Sequence, residues 1–421
     1  MNLSTLLIAT TVLALPAAPA AMAQETQADA TASAPDAFDP LKQEFDQLYR
    51  YLSSRRGVGE AERAELLALR SRLDAFANEH PADARPVVLD LQIALWLGED
   101  ERVDAAFESL VDRAPGNTAI LRRWAQARVT ANRWDAALEV LEAESLASNI
   151  DAMLERARVL MNLNRFADAL AALAAMPTEG VDATRLASQA TALRLQLETL
   201  ETAWEAEAAL LAAEAEKNDL PRVRLETPRG EIVLELFEDQ APYTVANFIE
   251  LVESGFYDGT RFHRVIPGFM AQGGDPNTRD GASGVAGQGG PGYTIPDESS
   301  RTDKRKHFAG RLAMAKPGDP DRAGKAKPNS AGSQFYITVV PTSHLDEEYT
   351  VFGRVLEGES TARALKGDDL VTSASVLRKR DHEYKPVKLG VTPPATPTTS
   401  ESAADADSST SDSSTSESAG G

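Results

Sequence analysis

The chain has no cysteine. That excludes disulfides, thiolate metal sites, cysteine nucleophiles and lipid attachment at a leader cysteine, so stability must rest on buried apolar cores. Histidine is scarce too. His80, His263, His307, His344 and His382 are scattered, and no two stand at a ligand spacing such as His-x-x-x-His; no metal or cofactor is implied. Positive charge is outnumbered, 43 Lys and Arg against 64 Asp and Glu, for a formal charge of −21. Nucleic-acid binding relies on clustered Lys and Arg, so a phosphate-backbone partner is not expected. Nor does an anionic membrane surface suit this charge, and the acidity reads as a source of solubility.

Long apolar runs are also missing. Leu6 to Leu15 is the main one near the N-terminus, too short to span a bilayer, and Pro16 ends it. Ala21-Met22-Ala23 follows as an A-x-A cleavage pattern with Gln24 next, although no Lys or Arg precedes the apolar run. Residues 1–23 therefore read as a signal peptide, and the mature chain is expected to be exported, periplasmic or secreted, without membrane insertion.

What is present falls into blocks. Residues 24–40 are polar, Ala-rich and aperiodic, as in a flexible linker. Residues 41–218 carry Leu, Ala, Val and Trp at spacings of three and four, a helical period throughout. Within it Arg102-Val103-Asp104-Ala105-Ala106-Phe107 lies over Arg133-Trp134-Asp135-Ala136-Ala137-Leu138 and over Arg165-Phe166-Ala167-Asp168-Ala169-Leu170. Alanines sit where helices would approach closely. This resembles tetratricopeptide-type repeats, which implies a stack of helix pairs able to bind a protein partner or to self-associate. Trp96, Trp124 and Trp134 are expected in its core. Residues 183–217 predict one or two long helices, stopped by Asn218, Asp219 and Pro221.

The period then changes. Val223 and Leu225, then Ile232, Leu234 and Leu236, alternate with polar residues around Thr227-Pro228-Arg229-Gly230, which predicts a strand, a turn and a strand. Ala241 to Ser254 predicts an amphipathic helix capped by Gly255. After Gly390 only Thr, Ser, Pro, Ala, Gly, Val and acids remain; residues 391–421 read as a disordered acidic tail. Gly287–Gly292 is glycine-rich, but no Gly-Lys-Ser/Thr follows it, so it is not read as a phosphate loop. The basic run Arg301–His307 reads as a solvated loop.

Three segments carry the chemistry: Phe262-His263-Arg264-Val265-Ile266-Pro267-Gly268-Phe269-Met270-Ala271-Gln272-Gly273-Gly274-Asp275, then Gly332-Ser333-Gln334-Phe335-Tyr336-Ile337, then His344-Leu345-Asp346 with Tyr349-Thr350-Val351-Phe352-Gly353. In this order they resemble the cyclophilin family of peptidyl-prolyl cis/trans isomerases, over roughly Leu220 to Leu389. The resemblance implies a closed eight-stranded antiparallel barrel capped by two helices at residues 220–390, following an all-α repeat region. It implies isomerisation of X-Pro bonds in proline-containing segments of exported or unfolded proteins, with no cofactor. A purely binding or scaffold role, with the repeats working and the barrel only holding proline segments, is the alternative.

Rotation about an X-Pro bond faces a barrier of about 18–20 kcal/mol, because the nitrogen lone pair is delocalised into the carbonyl. Twisting localises that pair, so a catalyst needs a donor over the nitrogen, an apolar pocket for the ring and groups that hold the backbone. The resemblance puts the catalytic arginine at Arg264. Its pocket falls on Phe269, Met270, Tyr336 and Leu345, and its backbone contacts on Gln272, Gly281, Ala315 and Gln334. Phe335 alternates to the opposite face and reads as core, and His263 as a structural hydrogen-bonding side chain. This chain departs from the family at four residues and in one connection. His344 stands where many eukaryotic members have a tryptophan that helps bind cyclosporin, which implies weak binding of that drug. Tyr349 replaces a common site histidine, Tyr336 a phenylalanine, and Lys316 an asparagine. Pro317–Pro328 is longer than the usual connection and lies beside the expected groove.

Overall fold

The computed structural model describes residues 36–54, 58–176 and 183–390. The proposed signal peptide, with its cleavage site, and the acidic tail 391–421 lie outside them. Among the described residues, nine α-helices precede the first strand: α1 (Asp39–Leu52), α2 (Glu60–Glu79), α3 (Arg85–Leu97), α4 (Asp100–Arg113), α5 (Thr118–Thr130), α6 (Trp134–Leu141), α7 (Ile150–Asn162), α8 (Phe166–Ala174) and α9 (Ala183–Lys217). The first helix starts inside the segment read as linker, because Phe38 is buried against Phe76 and Arg85. None of the described helices is long and apolar enough to cross a membrane.

The internal similarity has a geometric counterpart. Val103, Trp134 and Phe166 are all buried, as are Ala106, Ala137 and Ala169, where a methyl side chain lets helices approach. Three helix pairs turn through one residue in the left-handed region, Gly98, Asn132 and Asn164, at φ 66°, 58° and 57°. The next amide reaches back five residues each time: Glu99 to Ala94, Arg133 to Arg128 and Arg165 to Leu160. This is the bond pattern that closes a helix at a left-handed residue. Trp134 is core; Trp96 stacks on Phe45, and Trp124 packs on Phe107 while its Nε1 donates to Asp104 at 2.6 Å.

Eight strands follow: β1 (Arg222–Thr227), β2 (Gly230–Leu236), β3 (Arg264–Ile266), β4 (Met270–Gly273), β5 (Arg311–Met314), β6 (Phe335–Thr338), β7 (Val351–Glu357) and β8 (Ser373–Arg378). Two helices accompany them, α10 (Pro242–Glu253) and α11 (Glu359–Arg363). The strands form one sheet in the order β3-β4-β6-β5-β7-β2-β1-β8, with every pairing antiparallel. The expected closed barrel is therefore corrected to a curled, open sheet, since β3 and β8 do not pair. β3 is three residues long and turns at once through Pro267-Gly268. The residues before it, 259–262, exchange backbone hydrogen bonds with 368–371 instead of with β8. Val223, Leu225, Ile232, Leu234 and Leu236 face a core filled by Val245, Phe248, Ile249 and Val252 of α10 and by Phe335 of β6.

The helical region is docked on the sheet by charge, by a ring and by its turns. Arg305 has no exposed side-chain surface and pairs with Glu207 and Glu214 of α9, each at 2.6 Å. Arg311 pairs with the same Glu207 at 2.8 Å, and burial pushes its pKa down to about 10. The reading of Arg301–His307 as solvated loop is thus corrected. Two glutamates seven apart on one helix supply the counter-charge that permits burial. Phe308 inserts between Phe166 and Trp204 of the helical core. All three left-handed turns touch the sheet region: Gly98 O accepts from Lys366 Nζ (3.1 Å), the Asn132 side chain bonds Gly268 N and Arg363 O, and that of Asn164 brackets both the N–H and the C=O of Ala309.

Candidate active site

Alternation along the pleat decides which side chains share a face. β3 and β4 form a hairpin with Arg264 opposite Gln272, Val265 opposite Ala271 and Ile266 opposite Met270. Val265 and Ala271 point to the sheet core. β6 continues the row with Tyr336 opposite Gln272, and β5 with Ala313 opposite Tyr336. Arg264, Gln272, Tyr336 and Ala313 thus form one line across four strands on the outer face. Phe335, one residue away, goes to the core.

The polar half of this line is hydrogen-bonded end to end. Arg264 Nη1 donates to Gln272 Oε1 (3.3 Å), Gln272 Nε2 to Gln334 Oε1 (3.0 Å), and Gln334 Nε2 to Gly289 O (2.9 Å) and Asp275 Oδ2 (3.4 Å). Arg264 is exposed, and among the described residues no carboxylate pairs with it.

The apolar half is a cluster separate from the sheet core. Phe269, Met270, Ala315, Tyr336, Leu345 and Tyr349 belong to it, with Ala313, Ile266 and Val351. His344 stacks on Phe269 with centroids 5.9 Å apart, and Tyr349 meets Tyr336 edge-on at 6.0 Å. Burial raises the pKa of both the Tyr336 and Tyr349 phenols, so both are neutral at ordinary pH. Of the residues expected at the site, Gly281 stands apart: it is exposed at φ 80° in the loop after β4 and outside the cluster. Lys316 turns to Asp297 in a 2.8 Å ion pair, with its Nζ 5.6 Å from the Tyr349 ring. The long Pro317–Pro328 connection is tied down. Lys325 pairs with Glu348 at 2.8 Å, and the same carboxylate accepts from Ala326 N (3.2 Å), beside Tyr349.

His263 departs from its expected role. Both ring nitrogens are enclosed without a hydrogen-bond partner among the described residues, and burial lowers its pKa. Three residues that support the site were not foreseen. Asp275, fully buried, organises the glycine-rich loop by accepting from Asn277 N (2.8 Å), Gly289 N (3.1 Å) and Gly287 N. A Cβ at Gly289 would lie 2.1 Å from the Asp275 carboxylate, which is why a glycine stands there. The Asp-Pro-Asn sequence that starts a turn was the available signal. His307 bonds Asp346 through Nδ1 (2.8 Å) and the Tyr336 hydroxyl through Nε2 (2.9 Å). Burial lowers its pKa. With the Asp346 oxygen as acceptor, Nδ1 carries the proton and Nε2 accepts from the Tyr336 hydroxyl. Asn132, from the helical region, accepts from the hairpin tip at Gly268 N (2.8 Å).

An exposed guanidinium, a row of amides and an adjoining apolar cluster on one sheet face suit recognition of a proline-containing backbone. Comparison with known proteins agrees. Residues 222–388 match the family model of the cyclophilin-type peptidyl-prolyl cis-trans isomerase/CLD. A peptidyl-prolyl cis-trans isomerase of Synechococcus elongatus is 44% identical over 155 residues, 36% of this chain and 94% of the relative. Peptidyl-prolyl cis-trans isomerase B of Bacillus subtilis is 43% identical over 147 residues, 35% of this chain and 91% of the relative. A solved cyclophilin-type isomerase of Cryptosporidium parvum, crystallised in the presence of the dipeptide Ala-Pro, is 31% identical and overlaps 37% of this chain and 98% of its own, with a TM-score of 0.31. With nearly the whole length of curated isomerases matched at this identity, the chain belongs to the cyclophilin-type peptidyl-prolyl cis-trans isomerase family.

Proposed function

We propose that Arg264 is the catalytic donor of this isomerase. The prolyl ring sits against Phe269, Met270, Tyr336 and Leu345, with Tyr349 and Ala315 at the rim, while Gln272 and Gln334 hold the flanking backbone. As the X-Pro bond twists, the nitrogen becomes an acceptor, and a guanidinium N–H bonds it more strongly there than in either planar isomer; only such a differential interaction accelerates the step. The row running from Arg264 through Gln272 to Gln334 is the observation that carries this reading, because it fixes the arginine beside the apolar cluster. The direct test is the cis-to-trans exchange rate of an Ala-Pro peptide by NMR, with the full chain and its Arg264→Ala variant. Loss of roughly 10²–10³ in kcat/KM, in a variant of unchanged melting temperature, is expected for removal of one such donor. A variant within a few-fold of the parent would refute the role.

The wider reading is an exported folding catalyst. The N-terminal apolar run and Ala21-Met22-Ala23 support export to the periplasm, and N-terminal sequencing of the mature protein, expected to start at Gln24, checks it. Residues 41–218, with their recurrent left-handed turns, are proposed as a tetratricopeptide-like region working with the sheet domain at 220–390. Proline-containing segments of exported proteins are the proposed clients.

A further inference from the structure

The segment 305–309 divides its side chains between the helical region and the proline pocket. On one side, Arg305 is held by Glu207 and Glu214, Phe308 lies 4.8 Å from Trp204 and 5.9 Å from Phe166, and the Asn164 side chain brackets Ala309. On the other side, His307 makes four hydrogen bonds. Its N–H and Nδ1 both reach Asp346 at 2.8 Å, its carbonyl accepts from Thr342 N at 2.8 Å, and its Nε2 takes the Tyr336 hydroxyl at 2.9 Å. Thr342 and Asp346 flank the Ser343–Leu345 turn, which delivers Leu345 to the apolar cluster; Tyr336 belongs to the same cluster.

We propose that His307 is a positioning residue through which the helical region sets the shape of the proline pocket: it pins Tyr336 and the Leu345 turn to a segment whose neighbours are seated in the helical core. This rests on the assignment of those two residues to the pocket. The imidazole is stacked parallel to the Tyr336 ring, at 11° and 6.0 Å, so a shift of the segment moves hydroxyl and ring together. Tyrosine at this position supplies the hydroxyl that such a link needs. Undocking the helices would withdraw Leu211 of α9 from the edge of the cluster but would remove none of Phe269, Met270, Tyr336 and Leu345; it would release the strap that spaces two of them.

The test uses the full chain and the concentration dependence of Ala-Pro peptide exchange. Asn164→Gly keeps the left-handed backbone at φ 57° while deleting the clamp on Ala309, more than one shell from the pocket. KM is expected to rise about five-fold, the lower end of ordinary site-to-site coupling, with kcat within about two-fold. In His307→Gln and Tyr336→Phe backgrounds the same substitution should change KM by less than about 1.5-fold, since the link is already cut. Glu207→Gln serves as a second, independent loosening of the strap. The inference is overturned if both substitutions leave KM unchanged, or if they raise it equally in all three backgrounds. Phe269→Ala separates the two levels. A raised KM there with no effect of Asn164→Gly sinks the link alone, whereas an unmoved KM for Phe269→Ala sinks the pocket assignment and the link with it.

Discussion

Glu207 is the side chain on which the docking of the two regions turns. Its carboxylate, almost wholly buried, accepts from Arg305 Nε (3.0 and 3.1 Å) and Nη2 (2.6 Å) and from Arg311 Nη2 (2.8 Å). Removing one partner of a buried ion pair costs about 3–5 kcal/mol, because the surviving charge stays desolvated. Two features reduce that figure for Glu207→Gln. The amide keeps one acceptor oxygen, and Arg305 retains Glu214 and lies 3.7 Å over the Phe237 ring. Arg311 lacks a second carboxylate: among the described residues Glu207 is its only ion-pair partner, and its guanidinium lies 5.6 Å from the Phe308 ring and 5.8 Å from those of Trp204 and Phe237. A net loss of about 2–4 kcal/mol is expected. The loss belongs to docking, so it should appear in urea denaturation as a lower midpoint or an earlier separate transition, and in hydrogen exchange as faster labelling at Ala309 and Gly268, whose amides are bonded to Asn164 and Asn132. Replacing the cluster together, by Glu207→Met, Glu214→Met, Arg305→Met and Arg311→Met, should cost less than Glu207→Gln alone, since none of the four paired charges is left without its partner. A Glu207→Gln midpoint shifted by less than the equivalent of about 0.5 kcal/mol, the range of ordinary surface substitutions, would refute the reasoning.

Gly274→Ala should be poorly tolerated. The residue sits at φ 80°, and a Cβ there would lie 2.6 Å from Ser333 O and 2.9 Å from the Phe335 ring; a loss of about 2–4 kcal/mol is expected by thermal denaturation, combining strain and overpacking. Asp275→Ala removes the acceptor shared by Gly287, Gly289 and Gln334, so it should raise KM for Ala-Pro peptides and increase proteolysis between 279 and 292. His307 is held neutral by burial, with its pKa below the ordinary histidine value. The unfolded chain therefore binds more protons as pH falls through about 6.5, and stability should decline from there downward; His307→Gln should flatten that slope between pH 7 and 5. A fragment of residues 220–390 should be less stable than the same region in the whole chain and should bind an apolar dye, because Phe308, Arg305 and Arg311 lose their cover.

Elements with a strong local period were readable. The alternation of Val223 to Leu236 became β1 and β2, the face of Val245, Phe248, Ile249 and Val252 became the buried side of α10, and Ala183 to Lys217 became one helix. The assignments of Arg264 and Gln272 came from the resemblance to a known family, while alternation alone set Phe335 on the face opposite Gln334 and Tyr336; the pairing of β3, β4 and β6 that lines them up is seen only in the structure. What stayed hidden depends on partners far apart in sequence. Arg305 looked solvated because its glutamates lie about a hundred residues earlier, on a helix whose acidic positions look like an exposed face. The left-handed geometry of Asn132 and Asn164 is a local property, but their use as clamps on Gly268 and Ala309 is not.

The placement of those clamps bears on how such a chain is put together. Left-handed turns close three helix pairs, α3–α4, α5–α6 and α7–α8, and the residue at each corner presents its side chain or its carbonyl at the edge of the stack. Here the three corners Gly98, Asn132 and Asn164 meet Lys366, the Gly268 hairpin tip and the Ala309 strap. A repeated turn thereby becomes a row of contacts against a curved sheet, with α9 adding the ion pairs at its end. Because two of these contacts fall on elements that shape the substrate site, substitutions at the corners should act on isomerisation without touching substrate. Asn132→Gly, which preserves φ 58° and deletes the bonds to Gly268 and Arg363, isolates that effect at the hairpin tip. Loosening the turn between Arg264 and Gln272 should lower kcat by several-fold, since the donor must be held in place as the bond twists. A kcat equal to the parent's would mean that the strand pairing of β3 with β4 positions Arg264 unaided.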